Sequence, residues 1–370
     1  MNILYDHQVF LAQRYGGVSR YFVELIRRLG SRPGCSITVF AGFHRNALLA
    51  EAAPGLPARV IGHYLPGAVA IARRPLTALN QAWLRQVARD AAPDLYHPTY
   101  YKALLRDLPA ARVVTVYDMT HEIFPELFPG DDPTPGRKQS AVSAASRVIC
   151  ISDNTRHDVQ RLLGVPNGRL ATVHISGAPA GRARPERPLP DPYLLYVGAR
   201  GGYKNADLLV RAWSSTAELR NRHRLVFFGG EPAAREEHAD PHIHFVAGDD
   251  DDLATWYTHA HAFVYPSRYE GFGLPPLEAM QCGCPVVASS ASSLPEVVGD
   301  AGLLFPADDA AGLVRALLSL DRDPGLRESL RQKGQARCRH FSWDRCADET
   351  WRVYEQARSD EPPGSSSWST

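Results

Sequence analysis

Glu270 and Glu278 enclose the loop Gly271, Phe272, Gly273, Leu274, Pro275 and Pro276 in the stretch "SRYEGFGLPPLEAM". An ionised carboxylate accepts hydrogen bonds from neighbouring hydroxyls, which suits Glu278 to a ribose and Glu270 to a sugar ring. Pro275 and Pro276 fit the first turn of a helix, so the backbone N–H groups of Gly273 and Leu274 can face an anion. Seventy residues earlier, "YLLYVGARGGYKN" carries Arg200 and Lys204 between a strand and a helix that starts near Asn205. Two cations beside backbone that glycine lets approach a ligand suit a diphosphate. Taken singly, a basic pair reads as a solvated turn and Glu278 as helix-end electrostatics. Both motifs together specify more than either.

The first half of the chain offers its own polar groups at strand ends. "RVVTVYDMTHEIFPELF" sets Tyr117, Asp118 and His121 at the edge of an apolar run, where α/β folds meet their ligands. Asp118 and His121 are therefore candidate site residues, and His97 in "DLYHPTYY" is another of the same kind. Gly16 and Gly17 in "RYGGVSRYF" precede a helix and permit close approach to a phosphate or an acceptor, or simply form a turn. Arg14 and Arg20 beside them are candidates for an anionic acceptor. Asp250, Asp251 and Asp252 have the look of a magnesium or manganese site, but their place ahead of a helix makes stabilisation of its positive end the simpler account.

Positioning these residues takes many strands. Short apolar runs ("NILYD", "SITVFAG", "ARVIG", "DLYHP", "RVVTVYD", "RVICIS", "LATVHIS") alternate with helical stretches before residue 180, as buried parallel strands do. The pattern restarts with "YLLYVGA", "RLVFFGG", "IHFVAG", "AFVYPS", "CPVVAS" and "GLLFPA". The fold class expected is α/β, two Rossmann-like doubly wound domains facing each other across a cleft. Residues 1–180 are expected to form the first domain, the proline-rich 181–192 a linker, 193–342 the second domain, 343–358 a helix crossing back to the first, and 359–370 a flexible tail.

With 370 residues and a net charge of +1, the chain has room for two domains and no global field for nucleic acid. Its six scattered cysteines and the charged start "MNILYDHQVF" predict a reduced, cytoplasmic protein without a signal peptide. "IARRPLTALNQAWLRQVARD" spaces Arg73, Arg74, Arg85 and Arg89 around an apolar stripe, the pattern either of an ordinary core-facing helix or of one lying on an anionic membrane.

"EGFGLPPLE" and the following "AMQCGCPVVASSASSLPEVVGDAGLLFPADD" resemble the signature of the family 4 retaining glycosyltransferases, and the similarity extends to "VGARGGYKN", "YDHQVFLAQRYGGVSRYF" and "VVTVYDMTHEIFPELFP". The resemblance implies the two-domain GT-B fold and a nucleotide-sugar donor, with 1–180 the acceptor-side domain and 193–342 the nucleotide-sugar-binding domain. It gives Arg200 and Lys204 the diphosphate, Glu278 the ribose, Glu270 the transferred sugar, and Phe272, Gly273 and Leu274 backbone contacts to sugar and phosphate. It implies no metal or other cofactor, since cations hold the diphosphate. Relatives often carry a His where Tyr117 stands, a departure for which His121 is the candidate substitute. The function expected is hexosyl transfer with retention to a saccharide or lipid-linked saccharide, mannose from GDP-mannose being the first reading and a UDP-sugar the alternative. A nucleotide-sugar epimerase would need a distinct acid/base set, and a phosphorylase usually a pyridoxal-binding lysine in a longer chain. A non-catalytic sugar-nucleotide binder is the remaining rival. A nicotinamide-dependent dehydrogenase lacks its G-x-G-x-x-G turn here.

Overall fold

The computed structural model describes residues 1–67, 73–177, 181–229 and 240–360. It divides into two compact units, Met1–Ile175 with the C-terminal segment from Trp343, and Ser176–Ser342.

The first unit is built on a seven-stranded parallel sheet in the order β3-β2-β1-β4-β5-β6-β7. Its strands are β1 (Asn2–Tyr5), β2 (Ser36–His44), β3 (Arg59–Tyr64), β4 (Leu95–His97), β5 (Ala111–Val116), β6 (Arg147–Cys150) and β7 (Leu170–Thr172). All seven apolar runs expected before residue 180 are strands. Ile3 is in register with Ile37 on one side and Leu95 on the other, so the order reverses between β1 and β4. The second unit repeats the plan with six parallel strands in the order β10-β9-β8-β11-β12-β13. These are β8 (Tyr193–Val197), β9 (Arg224–Phe228), β10 (Ile243–Val246), β11 (Ala262–Tyr265), β12 (Val286–Ser289) and β13 (Gly302–Phe305). Here the reversal falls between β8 and β11, and such switch points are where doubly wound sheets bind ligands. Val113, Val114, Val116, Phe263, Val264, Val286 and Val287 are all buried, as strands covered on both faces must be.

The segment 181–192, expected as a linker, is held to the second unit. The N–H of Arg182 donates to Asp251 (2.8 Å) and that of Arg184 to Thr255 Oγ1 (2.9 Å). Asp249 caps the helix Asp250–His259 in a capping box with Asp252, and Arg184 pairs with Asp252 at 2.9 Å. In the helix Arg73–Ala91, Leu84, Val87 and Ala88 lie in a core cluster with Leu4, Phe40 and Tyr96, and Trp83 packs edge-on to Phe40. The C-terminal part of the apolar stripe of that basic helix thus faces its own sheet, whereas Leu79 is exposed, as are Arg85 and Arg89. No helix among the described residues is long and apolar enough to cross a membrane.

The helix Trp343–Ser359 belongs to the first unit and closes its core through a buried polar chain. The Tyr354 hydroxyl lies 3.0 Å from that of Tyr5 and 2.6 Å from His97 Nδ1, while His97 Nε2 meets Thr115 Oγ1 at 3.0 Å and Thr115 meets the Tyr21 hydroxyl at 3.1 Å. His97 as a site candidate is corrected by this: the ring is fully buried and both nitrogens are satisfied within the core. Burial pushes its pKa down to about 3 from the usual 6.5. Below pH 6.5 the unfolded chain therefore takes up a proton that the folded ring refuses, and stability falls as pH drops toward 3, by up to about 1.4 kcal/mol per pH unit. Melting curves between pH 7 and 4.5 are expected to slope less steeply for His97→Gln than for the unaltered protein. Equal slopes would remove His97 from the acid response.

Candidate functional site

In the second unit the chain leaves β8 through Gly198 and Arg200, passes Lys204, and turns at Asn205 into the helix Ala206–Ser215. Leaving the neighbouring strand β11, it passes Ser267 and Glu270 and turns at Gly273 into the helix Leu274–Gln281, with Pro275 and Pro276 in the first turn. Lys204 and Glu270 thus flank the switch point, and they meet: Lys204 Nζ lies 2.8 Å from Glu270 Oε1 and 3.0 Å from Oε2. The Tyr265 hydroxyl accepts from the same ammonium at 3.3 Å, and the rings of Tyr203 and Tyr265 lie 5.1 and 5.7 Å from it. Arg200 donates to the carbonyl of Gly229 (2.9 Å), just past β9, and lies over Phe245 of β10 at 5.0 Å. Burial, then Glu270, raises the pKa of the Tyr196 phenol, and Arg200 acts against the rise, so both charges reach the end of β8.

Several groups that the sequence does not single out fix this geometry. The Asn205 side chain donates to the carbonyls of Pro266 (3.1 Å) and Ala307 (2.8 Å), tying the loop after β8 to those after β11 and β13. The N–H of Glu270 donates to Ser292 Oγ (3.0 Å), whose hydroxyl returns a bond to the Glu270 carbonyl. Ser293 Oγ bridges the carbonyls of Glu270 (2.9 Å) and Phe272 (2.6 Å). Asn205 and Ser292 both have positive φ, 57° and 55°, a conformation that L-residues hold at some cost and that collects at functional sites. Gly273 sits at φ 116°, where a Cβ would meet Leu294 Cδ2 at 3.0 Å, so glycine is required at that turn. Phe272 is buried edge-on against Phe341 and offers backbone rather than its ring. Glu278 lies one turn into the helix, half-buried, with its Cγ 3.3 Å from where a Cβ on Gly177 would stand. After burial, the charge of Glu278 is the next cause that raises the pKa of Tyr257.

In the first unit, Asp118 Oδ1 accepts from the N–H of Thr120 (3.0 Å) and thereby starts the short helix Thr120–Ile123. Lys138, almost wholly buried, donates to the carbonyl of Asp118 and pairs with Glu122, each at 2.8 Å. His121 is fixed by Asp132 (Nδ1 to Oδ2, 2.6 Å) and by stacking on Phe128 at 3.8 Å. Thr134, by side-chain and backbone bonds, and His121 hold the Asp132 carboxyl below its ordinary range. Tyr117 packs against Tyr21, Tyr100 and Tyr101, and its buried hydroxyl has no hydrogen-bond partner among the described residues. Burial and those phenols raise its pKa, which keeps it a protonated donor. Gly16 precedes the helix Gly17–Leu29 in extended conformation, and the space beside its Cα is taken by Gln13, whose Oε1 accepts from the N–H of Ser19 (3.2 Å). Gly16, Gly17, Asp118 and His121 all follow the C-terminal ends of β1 and β5.

A second cluster lies at the opposite edge of the second sheet, where His223 and His261 both approach Asp321 Oδ1, at 2.7 and 2.9 Å. Arg327 donates to His261 Nδ1 (3.0 Å), whereas His261 Nε2 lies near the carboxylate without hydrogen-bond geometry and has no hydrogen-bond partner among the described residues.

Comparison with known proteins finds two families along the chain. Glycosyltransferase Family 4 matches residues 15–175, and Glycosyl transferases group 1 matches residues 179–337. The O-antigen chain mannosyltransferase B of Escherichia coli is 31% identical over 374 residues, covering 92% of this chain and 96% of that protein. A D-inositol 3-phosphate glycosyltransferase of Kribbella flavida is 30% identical over 390 residues, covering 92% and 91%. Among solved structures, Anabaena HepE in complex with UDP and glucose superposes with a TM-score of 0.70 at 17% identity, over 96% of this chain and 100% of that one.

Proposed function

The chain belongs to the group 1, family 4 glycosyltransferases, hexosyl-transferring enzymes of GT-B fold, and from that premise we propose that it transfers mannose from GDP-mannose, with retention, to a saccharide or lipid-linked saccharide. The observation that carries the donor site is the Lys204–Glu270 pair at the β8/β11 switch point, with Arg200 beside it. In this reading the diphosphate takes Lys204 and Arg200, Glu270 turns to the sugar, Glu278 holds the ribose hydroxyls, and the N–H groups around Gly273 and Leu274 face the phosphate. Mannose is favoured by the likeness to a mannosyltransferase at 31% identity. A UDP-sugar is the second reading, because the HepE structure of the same fold holds UDP.

The transfer proposed is front-face. The anomeric C–O bond to the diphosphate lengthens while Lys204 and Arg200 take up the negative charge developing on the leaving oxygen. That oxygen accepts the proton of the incoming hydroxyl as the new C–O bond forms on the same face. Positioning and preorganised charge carry the acceleration. Cations in the role of a metal imply that no metal ion is needed. Asp118 and His121 are proposed for the acceptor side, each already oriented by a neighbour.

Thermal melting with GDP, UDP, ADP and dTDP in the presence of EDTA tests the donor reading. A nucleotide at a hundredfold over its Kd contributes about 2.7 kcal/mol, or roughly 5–10 °C for a domain of this size. GDP is expected to give the largest shift. A larger shift with UDP selects the second reading, and no shift with any of the four refutes the site.

A further inference from the structure

We propose that the C-terminal edge of the first sheet carries a row of tyrosines that binds an extended saccharide, so that the acceptor is a chain of sugar rings rather than a small phosphorylated polyol. The proposal rests on the transferase reading above and specifies its acceptor. Of the fifteen tyrosines in the chain, only Tyr15, Tyr64 and Tyr100 are exposed (57%, 38% and 39%), and all three stand at this one edge. Tyr64 is the last residue of β3, Tyr15 immediately precedes the helix cap at Gly16, and Tyr100 lies three residues beyond β4. Tyr15 and Tyr100 therefore follow β1 and β4, the strands at which the sheet order reverses. From β3 to β4 is three inter-strand steps, about 14 Å at the usual spacing, longer than a single sugar ring.

Each exposed ring is backed on one side. Tyr100 rests on Tyr101 at 4.5 Å and runs nearly parallel to Tyr117, 12° apart in plane and 6.5 Å between centres. Tyr64 leans on His44 at 5.7 Å. Tyr15 has Arg14 over its ring at 5.6 Å, and its hydroxyl donates to Glu51 at 3.4 Å. Large exposed aromatics gathered on one edge mark a binding surface rather than scattered surface residues. A pyranose offers an apolar C–H face and a rim of hydroxyls, which match the ring and the hydroxyl of tyrosine. Rings already held in place lose little entropy on binding.

The test is calorimetric titration of the nucleotide-bound protein with α-mannotetraose, maltotetraose and chitotetraose, each against its monosaccharide, and with inositol 1-phosphate. One tetrasaccharide is expected to bind at least about tenfold more tightly than its monosaccharide. Tyr15→Ala, Tyr64→Ala and Tyr100→Ala should each weaken the tetrasaccharide roughly threefold to tenfold and leave the monosaccharide within about twofold. Phenylalanine at the same positions should restore most of the difference. The proposal is overturned if no tetrasaccharide exceeds its monosaccharide, if alanine weakens both alike, or if inositol 1-phosphate binds most tightly. Nucleotide binding is followed separately by melting. Its absence in the unaltered protein counts against the donor reading, whereas a flat length dependence with nucleotide bound counts against the tyrosine row.

Discussion

Lys204→Ala is expected to lower sugar transfer by about 10²–10³-fold, while Glu270→Gln lowers transfer by a similar factor and yet tightens the nucleoside diphosphate roughly threefold to tenfold. The opposite signs on binding follow from the pair itself. Without donor, Lys204 Nζ is held by both oxygens of Glu270, so a diphosphate must take the ammonium away from a carboxylate and bring its own negative charge near that carboxylate. Glutamine removes the charge that competes for the ammonium and repels the phosphate. Transfer falls because the amide is neutral where the sugar ring acquires positive charge. Alanine at 204 removes the cation that stabilises the leaving group and leaves Glu270 without its partner. Calorimetry with the diphosphate, combined with initial rates for the two single variants and the double, separates these effects. Weaker diphosphate binding by Glu270→Gln would contradict the competition, and a Lys204→Ala rate within threefold of the unaltered enzyme would remove Lys204 from the chemistry.

Lys138→Met is expected to destabilise the first unit by about 3–5 kcal/mol. The Lys138 side chain is 1% exposed and that of Glu122 10%, so methionine strands a carboxylate that water barely reaches. The bond to the carbonyl of Asp118 is lost with it. A fall in melting temperature of roughly 10 °C follows from the usual scaling for domains of this size. Lys138→Met combined with Glu122→Leu should recover most of the loss, because an apolar pair of similar volume replaces a buried ion pair with little penalty. Melting of the single variant within 2 °C of the unaltered protein, or failure of the double to recover, would show that the pair is not the support described.

The fold was largely legible. All thirteen apolar runs are strands, because a strand covered on both faces needs a continuous apolar stretch and the flanking glycines, prolines and aspartates mark its ends. Asp250, Asp251 and Asp252 read correctly as helix-end chemistry, since all three fall in the first turn of their helix, while Asp249, which caps it, was not singled out. The residues of the donor loops were legible as a motif, and their contact was not. Nothing in one dimension brings Lys204 within 2.8 Å of Glu270 or makes Ser293 a bridge between two carbonyls 23 and 21 residues away. Ser292 and Ser293 left a faint trace in the run "SSASSLPE", and Asn205 was legible only as a helix start, not as the tie between loops. His97 misled for the same reason: a strand-end histidine looks like a ligand until its partner, 257 residues later in the chain, is seen to be Tyr354.

That distance along the chain bears on how the protein is made. The second unit interrupts the first, which opens at Met1 and is completed only from Trp343 onward. At usual translation rates the ribosome spends on the order of ten to thirty seconds on the intervening residues. Throughout that interval the nascent first unit holds Tyr5, His97 and Thr115 without the tyrosine that joins them, while the second unit, contiguous in sequence, can fold to completion. The second unit can thereby finish folding before the first although its synthesis begins later, and a nascent chain stalled before Trp343 lacks the helix that completes the first core.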